Sequence, residues 1–149
     1  YKACVQRVMV YGSEIWPMRS EDMQRLERAE RMMVRWMCGV SLKNRISSKE
    51  LNDWLGVVCV TEVVRQGRLR WFGHLERKGK DEWVSACRNV FVEGERGRGR
   101  GRKTWEECVK QDLKLFGLTK EDAMDRDAWR DIVGSRPTRA SMEQRTLNR

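Results

Sequence analysis

Two four-residue boxes, Ser47-Ser48-Lys49-Glu50 and Thr104-Trp105-Glu106-Glu107, each open an apolar stripe that a glycine closes, at Gly56 and Gly117. In such a box the hydroxyl accepts a backbone N–H three residues on, while the Glu carboxylate reaches back to the first N–H. A helix start is therefore encoded within four residues. Leu51, Trp54 and Leu55 follow the first box, and Trp105, Cys108, Val109, Leu113 and Phe116 follow the second. A third stripe has the same punctuation: Ser20 precedes Glu21 and Asp22, and Met23, Leu26, Ala29, Met33, Trp36 and Met37 recur at helical steps until Gly39. Strand alternation is scarce. The pattern predicts an all-α fold, an irregular bundle of about five to seven short helices.

Other segments fit that frame. Tyr1 to Val10 reads as an apolar-faced element. A helix starts at Thr61, with Val60, Val63, Val64, Gly67, Trp71, His74 and Leu75 on one face and Leu69 and Phe72 elsewhere, so it is expected to be buried on more than one side. Residues 81 to 92 allow a short helix followed by extended chain. Thr119 and Asp125 look like caps, with Trp129, Ile132 and Val133 as a last apolar patch before Gly134. Trp16, Trp36, Trp54, Trp105 and Trp129 are expected as core anchors. On the face opposite the Ser20 helix's stripe, Arg25, Arg28, Arg31 and Arg35 interleave with Glu27 and Glu30, the pattern of a solvated face.

The 149 residues suffice for one modest core, and the formal charge is +9 with a pI near 9.7. Residues 1 to 64 carry 10 Lys and Arg against 8 acids, residues 65 to 134 carry 17 against 13, and residues 135 to 149 carry 4 against 1. No apolar run approaches the roughly 20 residues that span a bilayer, and no secretory leader is recognisable, so an intracellular chain without a membrane partner is expected. Its start at Tyr1 suggests a fragment. Cys4, Cys38, Cys59, Cys87 and Cys108 are odd in number and widely spaced, against a disulfide framework. Cys59, His74, Cys87 and Cys108 match no zinc-ligand spacing, and the cysteines read as small buried hydrophobes. His74, the single histidine, reads as a packed, hydrogen-bonded residue, with no nucleophile beside it.

Between Gly94 and Lys103, Arg96, Arg98, Arg100, Arg102 and Lys103 alternate largely with glycine and lead directly into the helix start at Thr104. A flexible backbone with five cations suits a polyanion, RNA or DNA. Five phosphate contacts would give a slope of log affinity against log salt of roughly −3.5 on a single strand. The other reading is a solvated linker. The N-terminus of the following helix also suits phosphate, although Glu106 and Glu107 compete. Between residues 65 and 80, Arg65, Arg68, Arg70, Arg77, Lys78 and Lys80 face a single acid, Glu76. This is either a nucleic-acid face, with Trp71 and Phe72 stacking on bases, or a core helix with snorkelling arginines. Arg65, Arg68 and Arg70 form the second candidate patch. Arginine suits phosphate because its planar fork donates two parallel hydrogen bonds.

Five motifs in order carry a family resemblance: Tyr-Gly-Ser-Glu-Ile-Trp (Tyr11 to Trp16), Arg-Leu-Glu-Arg-Ala-Glu (Arg25 to Glu30), Gly-Arg-Leu-Arg-Trp-Phe-Gly-His-Leu-Glu-Arg (Gly67 to Arg77), Gly-Arg-Gly-Arg-Lys-Thr-Trp (Gly99 to Trp105) and Asp-Arg-Asp-Ala-Trp-Arg (Asp125 to Arg130). Together they resemble the C-terminal region of LINE-type non-LTR retrotransposon reverse transcriptases, over residues 1 to about 134. The resemblance implies residues 1 to 18 as the end of the polymerase thumb region, residues 19 to 134 as a helical C-terminal domain, and residues 135 to 149 as a disordered basic tail. It implies RNA or DNA and the upstream polymerase domain as partners, and the nucleus and cytoplasm as locations. Where the family often has Gly-Arg-Pro-Arg-Lys, Gly99 to Lys103 lacks the proline, which loosens the loop.

Metal-dependent nucleotide transfer needs clustered carboxylates to hold its divalent cations. No Asp-Asp pair occurs here. The Mg²⁺-dependent chemistry implied by the resemblance belongs upstream, so this segment is expected to be no enzyme, with no cofactor, metal or small-molecule substrate. Two rivals remain. One is a host-adopted remnant docking partner helices through its Met and Trp stripes, and the other is a hydrolase centred on His74 and a cysteine.

Overall fold

Both capping boxes form. The computed structural model describes residues 1–79, 82–90, 101 and 103–134, and among them no strand occurs. A π-helical turn, Lys2–Gln6, runs into α1 (Arg7–Met9), followed by α2 (Ser20–Met37), α3 (Ser48–Leu55), α4 (Val60–Glu76), α5 (Trp83–Asn89), α6 (Trp105–Phe116) and α7 (Arg126–Gly134). Short 3-10 turns lie at Ser13–Ile15, Leu42–Asn44 and Glu121–Met124. The fold is all-α, as the punctuation predicts. None of these helices is long and apolar enough to cross a membrane. The chain divides into two compact units, Tyr1–Gly67 and Arg68–Arg149, with the division inside α4. The segments 1 to 18, 19 to 134 and 135 to 149 do not coincide with that division. The Arg/Gly loop up to Arg100 and the C-terminal tail lie outside the described residues.

Local chemistry sets the helix ends. Glu50 N–H donates to Ser47 Oγ at 3.1 Å and Ser47 N–H to Glu50 Oε2 at 3.0 Å. Thr104 and Glu107 repeat the exchange at 3.3 and 3.1 Å. Gly56 and Gly117 close α3 and α6 at φ +59° and +64°, left-handed values that favour a residue without a Cβ. Asp125 Oδ1 accepts the N–H groups of Asp127 and Ala128, capping α7. At α2 the cap lies one residue earlier than predicted: Ser20 is already helical, and Asp22 Oδ2 accepts the Arg19 N–H at 3.3 Å.

The first unit is built around a buried carboxylate. Met18, Val34, Leu51, Val57, Val60 and Val64 are its buried apolar residues. Among them lies Glu30, assigned from sequence to a solvated face. Its Oε1 accepts Tyr1 O–H at 3.0 Å and Gln6 Nε2–H at 3.2 Å, and its Oε2 accepts Val60 N–H at 2.8 Å. Gln6 Nε2 also donates to Val58 O at 2.7 Å. One carboxylate thus ties α2 to the N-terminal turn and to the positive end of α4. Burial, and then the Glu30 charge, raise the Tyr1 phenol above its ordinary range. It therefore remains a donor at neutral pH, and its contribution to stability is lost only as pH rises into strong alkali. Nearby, Arg35 fastens the loop after α2, donating from Nη1 to Ser41 O at 3.0 Å and from Nη2 to Ile46 O.

The expected stripe on α2 is displaced. Glu30 and Val34 are its buried residues, while Ala29, Trp36 and Met37 are exposed. Trp16 and Trp54 are exposed too, so of the expected tryptophan anchors only Trp129 is fully buried and Trp105 half-buried.

In the second unit, Leu69, Phe72, Val109, Leu113, Phe116, Leu118, Ala123, Trp129 and Val133 form the core. Within it α7 approaches α4 closely. Trp129 Nε1–H donates to Leu69 O at 3.1 Å, and a Cβ at Gly73 would lie 2.8 Å from Trp129 Cδ1, nearer still to Nε1. Arg77 Nη1 completes the attachment, donating to Ala123 O at 2.6 Å. Gly73→Ala is expected to destabilise the chain by about 3 kcal/mol, through overpacking and loss of the indole bond. Denaturant unfolding of Gly73→Ala, Trp129→Phe and the double variant checks this. The two changes should be strongly non-additive, because the smaller ring relieves the overlap.

Candidate nucleic-acid interface

Arg96, Arg98, Arg100 and Arg102 lie outside the described residues. Lys103, where the run meets α6, is half-buried and its Nζ donates to Gln111 Oε1 at 2.7 Å. That bond lays the end of the run against the outward face of α6, which also presents exposed Lys110 and Lys114. These two lysines did not enter the sequence-based candidates. Their i, i+4 spacing opposite Val109, Leu113 and Phe116 was the signal available. The N-terminus of α6 is a poor phosphate site: Thr104 Oγ1 takes the Glu107 N–H, and Glu106 and Glu107 place two carboxylates there.

The patch at residues 65 to 72 separates into two sets. Arg68 is buried, its Nη1 2.9 Å from Asp112 Oδ2. Phe72 is a core residue, its ring centroid 6.5 Å from Trp105 and 6.1 Å from Trp129, with the Arg88 guanidinium 5.8 Å away. Both leave the candidate set, because a side chain sealed in the core cannot reach a ligand strand. Arg65 is half-buried in the first unit. Arg70 is exposed and has no polar partner among the described residues. Trp71 is half-buried and stacks on exposed His74, with centroids 5.4 Å apart and planes at 25°. His74 is therefore the outer half of an aromatic pair, not the packed, hydrogen-bonded residue expected, and Trp71 is not at the centre of the buried face.

Nearby charge is largely committed. Arg88 Nη1 sits 2.6 Å from Glu76 Oε1 and Nε 3.6 Å from Glu106 Oε1, joining α5 to α4 and α6. Lys78 Nζ is 2.6 Å from Glu82 Oε2, and that hydrogen bond lowers the Glu82 carboxyl below its usual range. Among the described residues of this unit, α4 offers solvent the Arg70 guanidinium beside a two-ring platform, which can contact phosphate and stack on an unpaired base.

Among the described residues no group of three His, Cys, Asp or Glu side chains could hold a metal ion. The cysteines are not uniformly buried: Cys108 is, Cys38 and Cys59 are half-buried, and Cys4 and Cys87 are exposed. Burial raises the Cys59 thiol above its ordinary range, opposed by its contact with Thr61 Oγ1 at 3.3 Å, so it is the protonated, less nucleophilic form at neutral pH. No protein-family model, curated protein or solved structure matches the chain.

Proposed function

We propose that this chain is a nucleic-acid-binding segment from the C-terminal region of a non-LTR retrotransposon RNA-directed DNA polymerase, assisting template RNA or target DNA binding during target-primed reverse transcription. The observation that carries the reading is the outward side of α4, where Arg70, without a polar partner among the described residues, stands beside the stacked Trp71 and His74. In the motif from Gly67 to Arg77, packing accounts for the inner residues. Leu69 and Phe72 fill the core, Gly73 admits Trp129, Arg68 meets Asp112 and Arg77 holds Ala123 O. Arg70, Trp71 and His74 have no such use. A net charge of +9 and the Arg/Gly run support the same partner. Nucleotide transfer is assigned to the upstream polymerase, because the buried acids here are engaged structurally: Glu30 holds three donors and Asp112 holds Arg68.

Replacing Arg96, Arg98, Arg100 and Arg102 with Gln should weaken binding to a single-stranded RNA or DNA and flatten the log–log salt slope by about 3, with no fall in melting temperature. Trp71→Ala with His74→Ala should weaken binding while leaving that slope unchanged, since stacking releases no counterions. Fluorescence anisotropy across a salt series reads both. Curves that neither set alters would reject the assignment. A protein-interaction role is a second reading, favoured by the exposed Met32, Trp36 and Trp54 of the first unit.

A further inference from the structure

Independently of nucleic acid, α2 carries an exposed line of side chains, apolar except at its N-terminal end, where Arg25 Nη1 lies 3.9 Å from Asp22 Oδ1. Arg25, Ala29, Met32 and Trp36 follow one another at steps of four, three and four residues along one side of the helix, and all four are exposed. Met32 is 72% and Trp36 84% exposed, high values for large apolar side chains, and the Arg25 side chain is 73% exposed. At the Arg25 end lies an open cleft of about 320 Å³, lined by Trp16, Pro17, Met18, Asp22, Arg25 and Leu26. The opposite end presents the exposed indole of Trp36. A knob and a hole thus share one helix face, eleven residues or roughly 16 Å apart along the axis.

From this arrangement we propose that the face is an isologous docking surface for a second copy of this chain, in which α2 pairs antiparallel with its symmetry mate and each Trp36 enters the other copy's cleft. The four-three-four spacing reads identically in both directions. With the two-fold axis between residues 30 and 31, Arg25 falls opposite the second copy's Trp36, and Ala29 opposite its Met32. Such a contact closes on itself and uses the same patch twice. The small Ala29 allows the axes to approach. Arg25 meets the face of the incoming indole as a cation–π partner, and its charge lies near the negative C-terminal end of the opposing helix. Asp22, whose Oδ2 accepts the Arg19 N–H and whose Oδ1 lies 3.9 Å from Arg25 Nη1, lines the cleft and keeps lone pairs for the indole N–H. A tryptophan desolvated in a pocket beside an arginine is the usual composition of an interface hot spot.

The test uses the full 149-residue chain, freed of nucleic acid by nuclease, in sedimentation velocity over a concentration series reaching about 100 µM, since association follows mass action. A monomer–dimer equilibrium is expected. Each contact occurs twice, so Trp36→Ala should weaken the dimer by about a hundredfold or more, and Arg25→Glu should weaken it in the same direction. Helical circular dichroism should be unchanged in both, the replaced side chains being exposed. If Trp36→Ala disturbs the fold, Arg25→Glu alone decides. Mixing the two variants is the sharper assay. Each alone has lost or impaired both contacts, whereas the mixed pair retains one intact contact, the Trp36 of the Arg25→Glu chain in the unaltered cleft of the other. The mixture should therefore associate more tightly than either component. A chain monomeric throughout the series, a dimer indifferent to both substitutions, growth beyond the dimer, or a mixture no tighter than its parts would each overturn the proposal.

Discussion

Asp112→Ala is expected to lower the stability of the chain by about 3–5 kcal/mol, the usual cost of leaving one member of a buried ion pair alone. The side chains of Arg68 and Asp112 are only 4% and 7% exposed, with nitrogen and oxygen 2.9 Å apart. Among the described residues no neighbour stands ready to take over, because Arg68 Nε and Nη2 already lack a hydrogen-bond partner there. Removing the carboxylate therefore strands a cation in an apolar environment that cannot solvate it. Arg68→Met combined with Asp112→Leu should recover most of the loss, and could exceed the starting stability, since a well-packed apolar pair avoids the desolvation of both charges. Denaturant unfolding at low and high salt checks the series. The Asp112→Ala loss should change little with salt, because a buried pair is poorly screened. A loss below about 1 kcal/mol would mean that water reaches the pair. The double variant should bind oligonucleotides as the parent chain does, since Arg68 is not at the surface.

Glu30→Ala should be comparably damaging, by about 3–5 kcal/mol, for a different reason. Three donors, from Tyr1, Gln6 and Val60, would lose their acceptor together, two of them within reach of a single oxygen. Each buried donor left unsatisfied costs about 1–3 kcal/mol. Gln6 keeps Val58 O as a second partner, which limits the total. Glu30→Gln should be milder, about 2 kcal/mol, because one carbonyl oxygen survives while the amide NH₂ faces a donor. Hydrogen exchange gives the local signature: amides near the start of α4 and in the Lys2–Gln6 turn should exchange faster, while those of α6 should be little affected. Uniform acceleration along the whole chain would instead place Glu30 at the centre of global stability.

These two residues show how differently the sequence exposes its parts. A capping box is complete within four residues, so Ser47 with Glu50 and Thr104 with Glu107 could be recognised as helix starts without any knowledge of what the helices pack against. The glycine stops at Gly56 and Gly117 are equally local. The α6 stripe was also legible, because Cys108, Val109, Leu113 and Phe116 leave only one apolar side. On α2 and α4 apolar residues occur on more than one side, and periodicity alone could not choose between them. On α4 the projection favoured Trp71 and His74 over Leu69 and Phe72. The structure buries the second pair because Trp129, sixty residues later, donates to Leu69 O and rests against Gly73.

The candidate interface divides the same way. Charge and composition pointed to the basic segment between residues 65 and 80, and Arg70 and Trp71 remain accessible there. That Arg68 is neutralised depended on Asp112, forty-four residues distant, and that Phe72 is internal depended on Trp105 and Trp129. By itself, then, the sequence determined helical class, helix ends and sites of positive charge, because caps, turns and ionisation are properties of residues and their immediate neighbours. Tertiary structure alone decided which face of each helix lies inside, which carboxylates are structural, and which aromatic rings face solvent, because burial is set by partners that chain order does not place side by side.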